Sequence, residues 1–166
     1  MTTAIPLFLA RTDSPIGRLE LTSDGDAITS LSIARDGHLP LESLPENGNG
    51  VLEEAVRQLG EYFAGTRTAF DVPLHLRGTD FQRRVWAVLE RLPYGEFTSY
   101  GEIGLELGLL TAGRAVGGAV GANPVPLLIG CHRVLSSNGR VTGYSGGEGI
   151  PTKLWLLAHE GITLAA

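Results

Sequence analysis

The sequence of 166 residues contains one cysteine, Cys131. A single thiol excludes an internal disulfide and any zinc site built from several thiolates. Basic charge is also in short supply. Thirteen Lys+Arg face eighteen Asp+Glu, for a formal net charge of −5, so charge alone does not mark a nucleic-acid binder. The deficit is uneven: residues 1–77 carry 6 basic and 11 acidic side chains, whereas residues 78–166 carry 7 of each. The first part reads as a solvated scaffold, and the second is at least not repelled by polyanions. Met1–Ala10 lacks a basic start and a long apolar core, so no secretory signal is expected. Ala115–Cys131 is uncharged for 17 residues but holds Gly117, Gly118, Gly121, Asn123, Pro124, Pro126 and Gly130, which excludes a membrane span there. With no export signal and one free thiol, the expected compartment is a reducing cytoplasm. No phosphate-cradling G-x-x-x-x-G-K or well-placed G-x-G-x-x-G is present, and neither is an internal repeat, low-complexity tract or glycosylation sequon.

What is present describes a globular chain. Hydrophobic residues make up 43% and the mean hydropathy is +0.10, enough for one medium domain or two small ones. Glycine stands out at 23 of 166, about twice the usual share of roughly 7%. So much glycine implies many tight turns or surfaces that something must approach closely.

The first third predicts strands over Ile5–Arg11, Arg18–Ser23 and Ile28–Ile33, divided by Asp13-Ser14-Pro15 and Ser23-Asp24-Gly25-Asp26. After the Asn47–Gly50 loop, Leu52, Ala55, Val56, Leu59 and Phe63 follow one helix face, and Gly65 ends the helix. Phe70–Leu76 reads as a further strand. From Thr79 the signals turn helical. Thr79-x-x-Gln82 and Ser99-x-x-Glu102 are capping-box patterns, the first heading a helix with Phe81, Val85, Val88, Leu89 and Leu92 on one face. The second heads a short helix to about Leu107, and Thr111 can cap a third running to Gly121. Two short helices around a glycine-bearing turn suggest a helix-turn-helix. Asn138-Gly139, between Val134-Leu135 and Val141-Thr142, predicts a hairpin. Pro151 opens a last helix that Gly161 stops. The fold class is therefore α+β: a small strand-rich α+β domain over 1–77, then a helical domain with a helix-turn-helix over 78–166.

The third of these helices has an unusual face. Ala112, Ala115, Val116, Ala119 and Val120 form an apolar stripe, and opposite it lie Arg114, Gly117, Gly118 and Gly121. Each glycine costs about 0.5–1 kcal/mol relative to alanine inside a helix. The face suits either close contact with a nucleic-acid groove or packing of Gly117-x-x-x-Gly121 against another helix.

Cys131 directly precedes His132. A thiolate is a nucleophile and an imidazole can take its proton, but neighbours on an extended strand point to opposite faces. The two can cooperate only if the backbone turns here or a water relays the proton; Pro126 and Gly130 make a turn feasible. A buried structural cysteine is the other reading. Glu160, at the C-terminal end of the last helix where the dipole disfavours an anion, calls for a cationic or donor partner, which His132 or Arg133 could supply.

Arg114-Ala-Val-Gly-Gly-Ala-Val, Asn123-Pro-Val-Pro, Cys131-His-Arg-Val, Tyr144-Ser-Gly-Gly and Leu156-Leu-Ala-His-Glu160-Gly161 together resemble the O6-alkylguanine-DNA alkyltransferases in order and spacing. Ser14-Pro15-Ile16-Gly17 and Tyr62-Phe63-x-Gly65-x-Arg67 are similar to the family's N-terminal domain. The resemblance implies direct, irreversible DNA repair, in which an alkyl group moves from O6 of guanine in duplex DNA onto the protein's own cysteine. It implies that Cys131 is the nucleophile, His132 its base through water, Glu160 the residue that orients the imidazole, Asn123 a tether of the cysteine segment, and Tyr100 a donor to guanine N3. It also implies that Tyr144, Ser145 and Gly146 line the base pocket, and that Arg114 fills the gap left by the flipped nucleotide. Gly117 and Gly118, with Thr111 and Ala115 on the same helix, would meet the minor groove. No metal or organic cofactor is implied, and the partner is double-stranded DNA, met by a monomer in the cytoplasm, at the nucleoid when bound.

The chemistry of the residues agrees. Sulfur attacks an sp³ carbon in line, the thioether product is stable, and the base must leave the stack to be reached. The chain departs from the family at Gly130, where proline is usual, and at Gly121, where a basic residue is frequent. The first loosens the backbone beside the sulfur; the second, with a neutral second half, predicts modest DNA affinity and a shallow salt dependence. A non-catalytic lesion-binding helix-turn-helix protein and a cysteine hydrolase are the alternatives. Relatives that only bind lesions carry tryptophan in place of the cysteine, which Cys131 argues against.

Overall fold

The computed structural model describes residues 7–109 and 113–164. The chain divides into two compact units, Met1–Arg77 and Gly78–Ala166.

In the first unit, β1 (Phe8–Thr12), β2 (Leu19–Ser23) and β3 (Ile28–Ile33) form an antiparallel sheet in that order. Leu9 pairs with Thr22 and Leu21 with Leu31. All five residues of central β2 are buried. Helix α1 (Gly50–Phe63) lies against β1 and β2. Its first turn is capped by Asn49, whose Oδ1 accepts from the Leu52 N–H at 3.0 Å. The buried face is Leu52, Ala55, Gln58, Leu59 and Tyr62. Val56 and Phe63, expected there, are only half-buried, because Gln58 turns inward to bond the Asp71 backbone at 2.8 and 3.1 Å. The strand expected over Phe70–Leu76 reduces to one bridge, Leu74 to Ile28, with Ile28 N–H donating to Pro73 O and His75 N–H to Ile28 O. Pro73 has no N–H to extend the ladder.

The second unit contains α2 (Asp80–Glu90), β4 (Thr98–Ser99), α3 (Tyr100–Glu106), α4 (Gly113–Gly121), a 3-10 turn at Cys131–Arg133, β5 (Val134–Leu135) and α5 (Ile150–His159). The capping box of Thr79 and Gln82 is complete. That of Ser99 is half made: Ser99 accepts from the Glu102 N–H, but the Glu102 carboxylate turns to the Thr98 hydroxyl at 3.0 Å. Helix α4 packs against α2 and α3. The buried Trp86 indole of α2 donates to Ala119 O of α4 at 2.8 Å. On α4, Val116, Ala119 and Val120 are buried. Ala115, assigned to that stripe from the sequence, is exposed, since three residues a turn apart suffice to fill the seam with α2 and α3. Thr111 and Ala112 lie outside the described residues.

The predicted hairpin is a tight turn without paired arms. Gly139 has φ 76° and its N–H donates to Ser136 O, while Ser136 N–H donates to Arg140 O. Beyond that, β5 pairs in parallel with β4, Thr98 to Val134 and Ser99 to Leu135. The two arms are joined by a side chain instead: the Lys153 ammonium donates to Val134 O at 2.5 Å and Gly143 O at 3.1 Å. Helix α5 ends at Gly161, with φ 75°, whose next residue bonds back to Leu157 O. Among the described residues no helix is long and apolar enough to cross a membrane.

Candidate active site

The backbone turns at the cysteine. Gly130 has φ −76° and ψ 61°, with Cys131 N–H donating to Ile129 O at 2.8 Å, an inverse γ-turn. The 3-10 turn Cys131–Arg133 follows at once, so the side chains of residues 131 and 132 are not held on opposite faces of a strand. Upstream, Asn123 closes the loop that delivers this turn. Its Nδ2 donates to Ile129 O and its Oδ1 accepts from Val125 N–H, both at 3.0 Å. Within that loop, buried Leu127 sits at φ 76°, a left-handed conformation costly for a non-glycine residue.

Cys131 is 3% exposed, yet it opens on a cavity of about 210 Å³ whose wall includes Tyr100, Gly117, Gly121, Tyr144, Ser145 and Lys153. Burial pushes the thiol up from its ordinary value; hydrogen bonds from the Asn123 and Tyr144 side chains and the charge of Lys153 pull it back down. Lys153 is itself pushed down to about 8 by burial.

His132 is fully buried. Its Nε2 lies 2.6 Å from Glu160 Oε2. Glu160 also receives Arg133 Nε at 2.7 Å on Oε1, Arg133 Nη2 at 3.0 Å on Oε2 and the Gly95 N–H at 3.2 Å on Oε1. These donors outweigh the cost of burial and hold the Glu160 carboxyl far below the usual carboxylate range. A carboxylate can only accept, so Nε2 carries the imidazole proton and Nδ1 is the basic nitrogen. Nδ1 is buried and has no hydrogen-bond partner among the described residues. Burial lowers His132 from its ordinary value and outweighs the opposing pull of Glu160. The resting pair is therefore a neutral thiol and a neutral imidazole with an open acceptor.

Of the other sequence-predicted residues, Tyr100, Gly117, Tyr144 and Ser145 line the cavity. Tyr100 is half-buried, with its hydroxyl bonded to Thr142 and its acidity suppressed mainly by burial. Its ring lies 3.9 Å from where a Cβ on Gly117 would stand. Ser145 Oγ donates to Gly121 O at 2.9 Å, which pins the Tyr144–Gly146 loop to the end of α4. A Cβ on Gly118 or Gly121 would meet nothing within 4 Å among the described residues. That part of the glycine face is open rather than packed against a helix. Arg114 and Ala115 are exposed on α4, and Thr111 lies outside the described residues. Lys153 was missed from the sequence. Its signal was its register: 153, 156, 157 and 160 share one face of α5, and all four are buried.

Comparison with known proteins closes the assignment. Residues 80–162 match the family model described as the DNA binding domain of 6-O-methylguanine DNA methyltransferase, and residues 7–76 match its ribonuclease-like domain. The methylated-DNA–protein-cysteine methyltransferase of Mycobacterium tuberculosis is 48% identical over 135 residues, covering 81% of this chain and 82% of its own. The constitutive enzyme of that name from Bacillus subtilis is 39% identical over 155 residues, 91% and 93% of the two chains. The crystal structure of M. tuberculosis OGT in complex with DNA superposes with a TM-score of 0.83 at 45% identity, over 93% of both chains. With both family models matched in order and relatives this similar along most of its length, the chain belongs to the 6-O-methylguanine DNA methyltransferase family.

Proposed function

We propose that the protein repairs O6-alkylguanine in double-stranded DNA by moving the alkyl group onto Cys131, once per molecule. The observation that carries this reading is the buried Cys131 thiol opening on a cavity beside a histidine whose Nδ1 is left without a partner. With the lesion base turned out of the stack into the cavity, the Cys131 proton passes to His132 Nδ1, through water. The thiolate attacks the alkyl carbon in line. A carbon–sulfur bond forms as the carbon–O6 bond breaks, and the electron pair goes to the purine. Tyr100 supplies a proton or hydrogen bond at guanine N3, so the base leaves neutral. Glu160 fixes the imidazole tautomer and stabilises the imidazolium. The thioether is stable to water, which ends the reaction after one turnover.

The α3–α4 pair serves as a helix-turn-helix, with the open glycine face of α4 in the minor groove. Arg114 enters the space the flipped nucleotide leaves, and Ala115 on the same helix lies near the groove. Tyr144, Ser145 and Gly146 line the base pocket. The 1–77 unit supports the fold, and the protein acts as a cytoplasmic monomer. Intact mass after incubation with an O6-methylguanine duplex tests the reading. The expected result is a stoichiometric gain of one methyl on the Cys131 peptide, absent in Cys131→Ala. Binding that survives Cys131→Ala with no mass change in the wild type would mean a lesion-binding protein without transfer.

A further inference from the structure

Glu160 is a crowded acceptor. Two of its four donors belong to one side chain, Arg133, whose third donor, Nη1, goes to Leu92 O just past the end of α2 at 3.0 Å. The guanidinium is 7% exposed with its residue and cannot swing without losing all three bonds. It lies flat on the turn that precedes the nucleophile. A Cβ on Gly130 would stand 2.7 Å from Arg133 Nη1, 3.0 Å from Cζ and 3.1 Å from Cδ. The Gly130 φ of −76° is open to any residue, so glycine is required here for space and not for backbone freedom.

We propose that Arg133 is a positioning residue of the proton relay, offsetting part of the Glu160 charge so that the buried His132 stays a neutral imidazole with Nδ1 open to accept, and that Gly130 is what seats its guanidinium. The proposal rests on the alkyl-transfer reading of Cys131. The charged groups that act on His132 are Glu160 and Lys153 from α5 and Arg133 from its own turn; Tyr94, from the loop after α2, feels both Glu160 and Arg133. Among them only ionised Glu160 draws a proton onto the imidazole; Arg133 and Lys153 oppose it. Burial is the main force that keeps His132 neutral; without Arg133 one of the two charges that back it against Glu160 is lost, and the imidazole is held neutral less firmly. Loss of one positive charge raises the protonation midpoints of both Cys131 and His132, so the whole pH window of reaction moves upward.

The test follows alkylation of Cys131 against pH by intact mass, with iodoacetamide alone and, in parallel, with the O6-methylguanine duplex. The proteins are wild type, Arg133→Lys, Arg133→Met, Gly130→Ala and the Gly130→Ala/Arg133→Met double variant. The midpoint in Arg133→Met is expected to rise by about 1–3 pH units. Arg133→Lys keeps the charge and loses the fork, so its midpoint stays put while its rate falls. Gly130→Ala unseats the guanidinium and moves the midpoint in the same upward direction, and it adds nothing in the Arg133→Met background. An unmoved midpoint in Arg133→Met, or a Gly130→Ala effect equally large with and without Arg133, overturns the proposal. If Arg133→Met does not fold, an unmoved midpoint in Gly130→Ala overturns it alone. A wild type that reacts with iodoacetamide but never with the duplex defeats the alkyl-transfer reading instead, and leaves the relay result standing.

Discussion

Replacing Glu160 by glutamine changes one oxygen to an NH₂ in a pocket where four donors already converge. Arg133 contributes two, His132 Nε2–H one and the Gly95 N–H one. The amide has a single acceptor oxygen, and its two N–H groups point at other donors. Arg133, buried with its residue at 7% exposure, loses its counter-charge. Leaving one member of a buried ion pair uncompensated costs about 3–5 kcal/mol. At about 2–4 °C per kcal/mol for a chain of this size, Tm should fall by roughly 6–20 °C. The imidazole responds as well. His132 can relieve the clash only by moving its proton to Nδ1, so that Nε2 accepts from the amide. That tautomer has no lone pair facing away from residue 160. Loss of the base should slow transfer by about 10²–10⁴-fold.

The assay is single-turnover transfer from excess O6-methylguanine duplex, read by intact mass at a temperature where circular dichroism shows both proteins folded. A rate within about threefold of wild type, at equal folded fraction, would refute the claim that Glu160 sets the tautomer. Acid stability supplies a second readout. The Glu160 carboxyl is lowered in the folded state, so its contribution is present above the unfolded value of about 4.3 and is lost as pH falls toward the folded one. His132 is also lowered, so the unfolded chain binds its proton first and stability declines as pH drops below about 6.5. Glu160→Gln should keep the histidine slope and lose the extra slope below about pH 4.3, as urea unfolding at stepped pH would show.

Arg114→Ala should slow repair in duplex DNA far more than reaction with free O6-alkylguanine base, because only the duplex leaves a vacancy to fill; equal losses on both substrates would refute base flipping by this residue. Lys153→Met removes the donor to Val134 O and Gly143 O and should cost about 1–3 kcal/mol for each carbonyl left unpaired. It should also raise the iodoacetamide midpoint of Cys131, whose thiolate the ammonium favours. With Lys153 lowered to about 8 against about 10.4 unfolded, wild type gains stability as pH rises through that interval, a gain the methionine variant should lack in the same urea series.

Local signals carried most of the element assignments, because they depend on neighbours in sequence. Thr79 with Gln82, Asn138-Gly139 and the 52, 55, 59 spacing each act within one turn of chain. Failures came where a distant partner decided. Val134-Leu135 reads as a hairpin arm until Thr98-Ser99 outcompetes Val141-Thr142 for it. Phe70–Leu76 reads as a strand, yet its ladder stops at Pro73. At the site, the sequence offered His132 and Arg133 as alternative partners for Glu160, and the carboxylate has room for both. The residues themselves were legible through their resemblance to a family, but the charge balance among them was not. Arg133 and Lys153 are 20 positions apart and reach the same thiol–imidazole pair only through the packing of α5 on the 3-10 turn.

That balance bears on why the nucleophile is buried at all. A protein consumed by one transfer gains nothing from a permanently ionised thiolate, which would react with any small electrophile that entered. Burial raises the Cys131 thiol and lowers the His132 imidazole, so both rest uncharged. Glu160 and Arg133 then cancel beside them, leaving Lys153 as the one uncompensated charge at the cavity wall among the groups that face the sulfur. The ammonium favours the thiolate once a proton has somewhere to go, and it is partly deprotonated near pH 8. On this reading the resting site is neutral, and reaction waits for a base in the cavity whose alkyl carbon lies in line with the sulfur. The poise depends on the opposed charges of Arg133 and Glu160, so a change that moves either one should alter both the selectivity among electrophiles and the pH at which the thiol reacts. A shift in one without the other would separate the two effects.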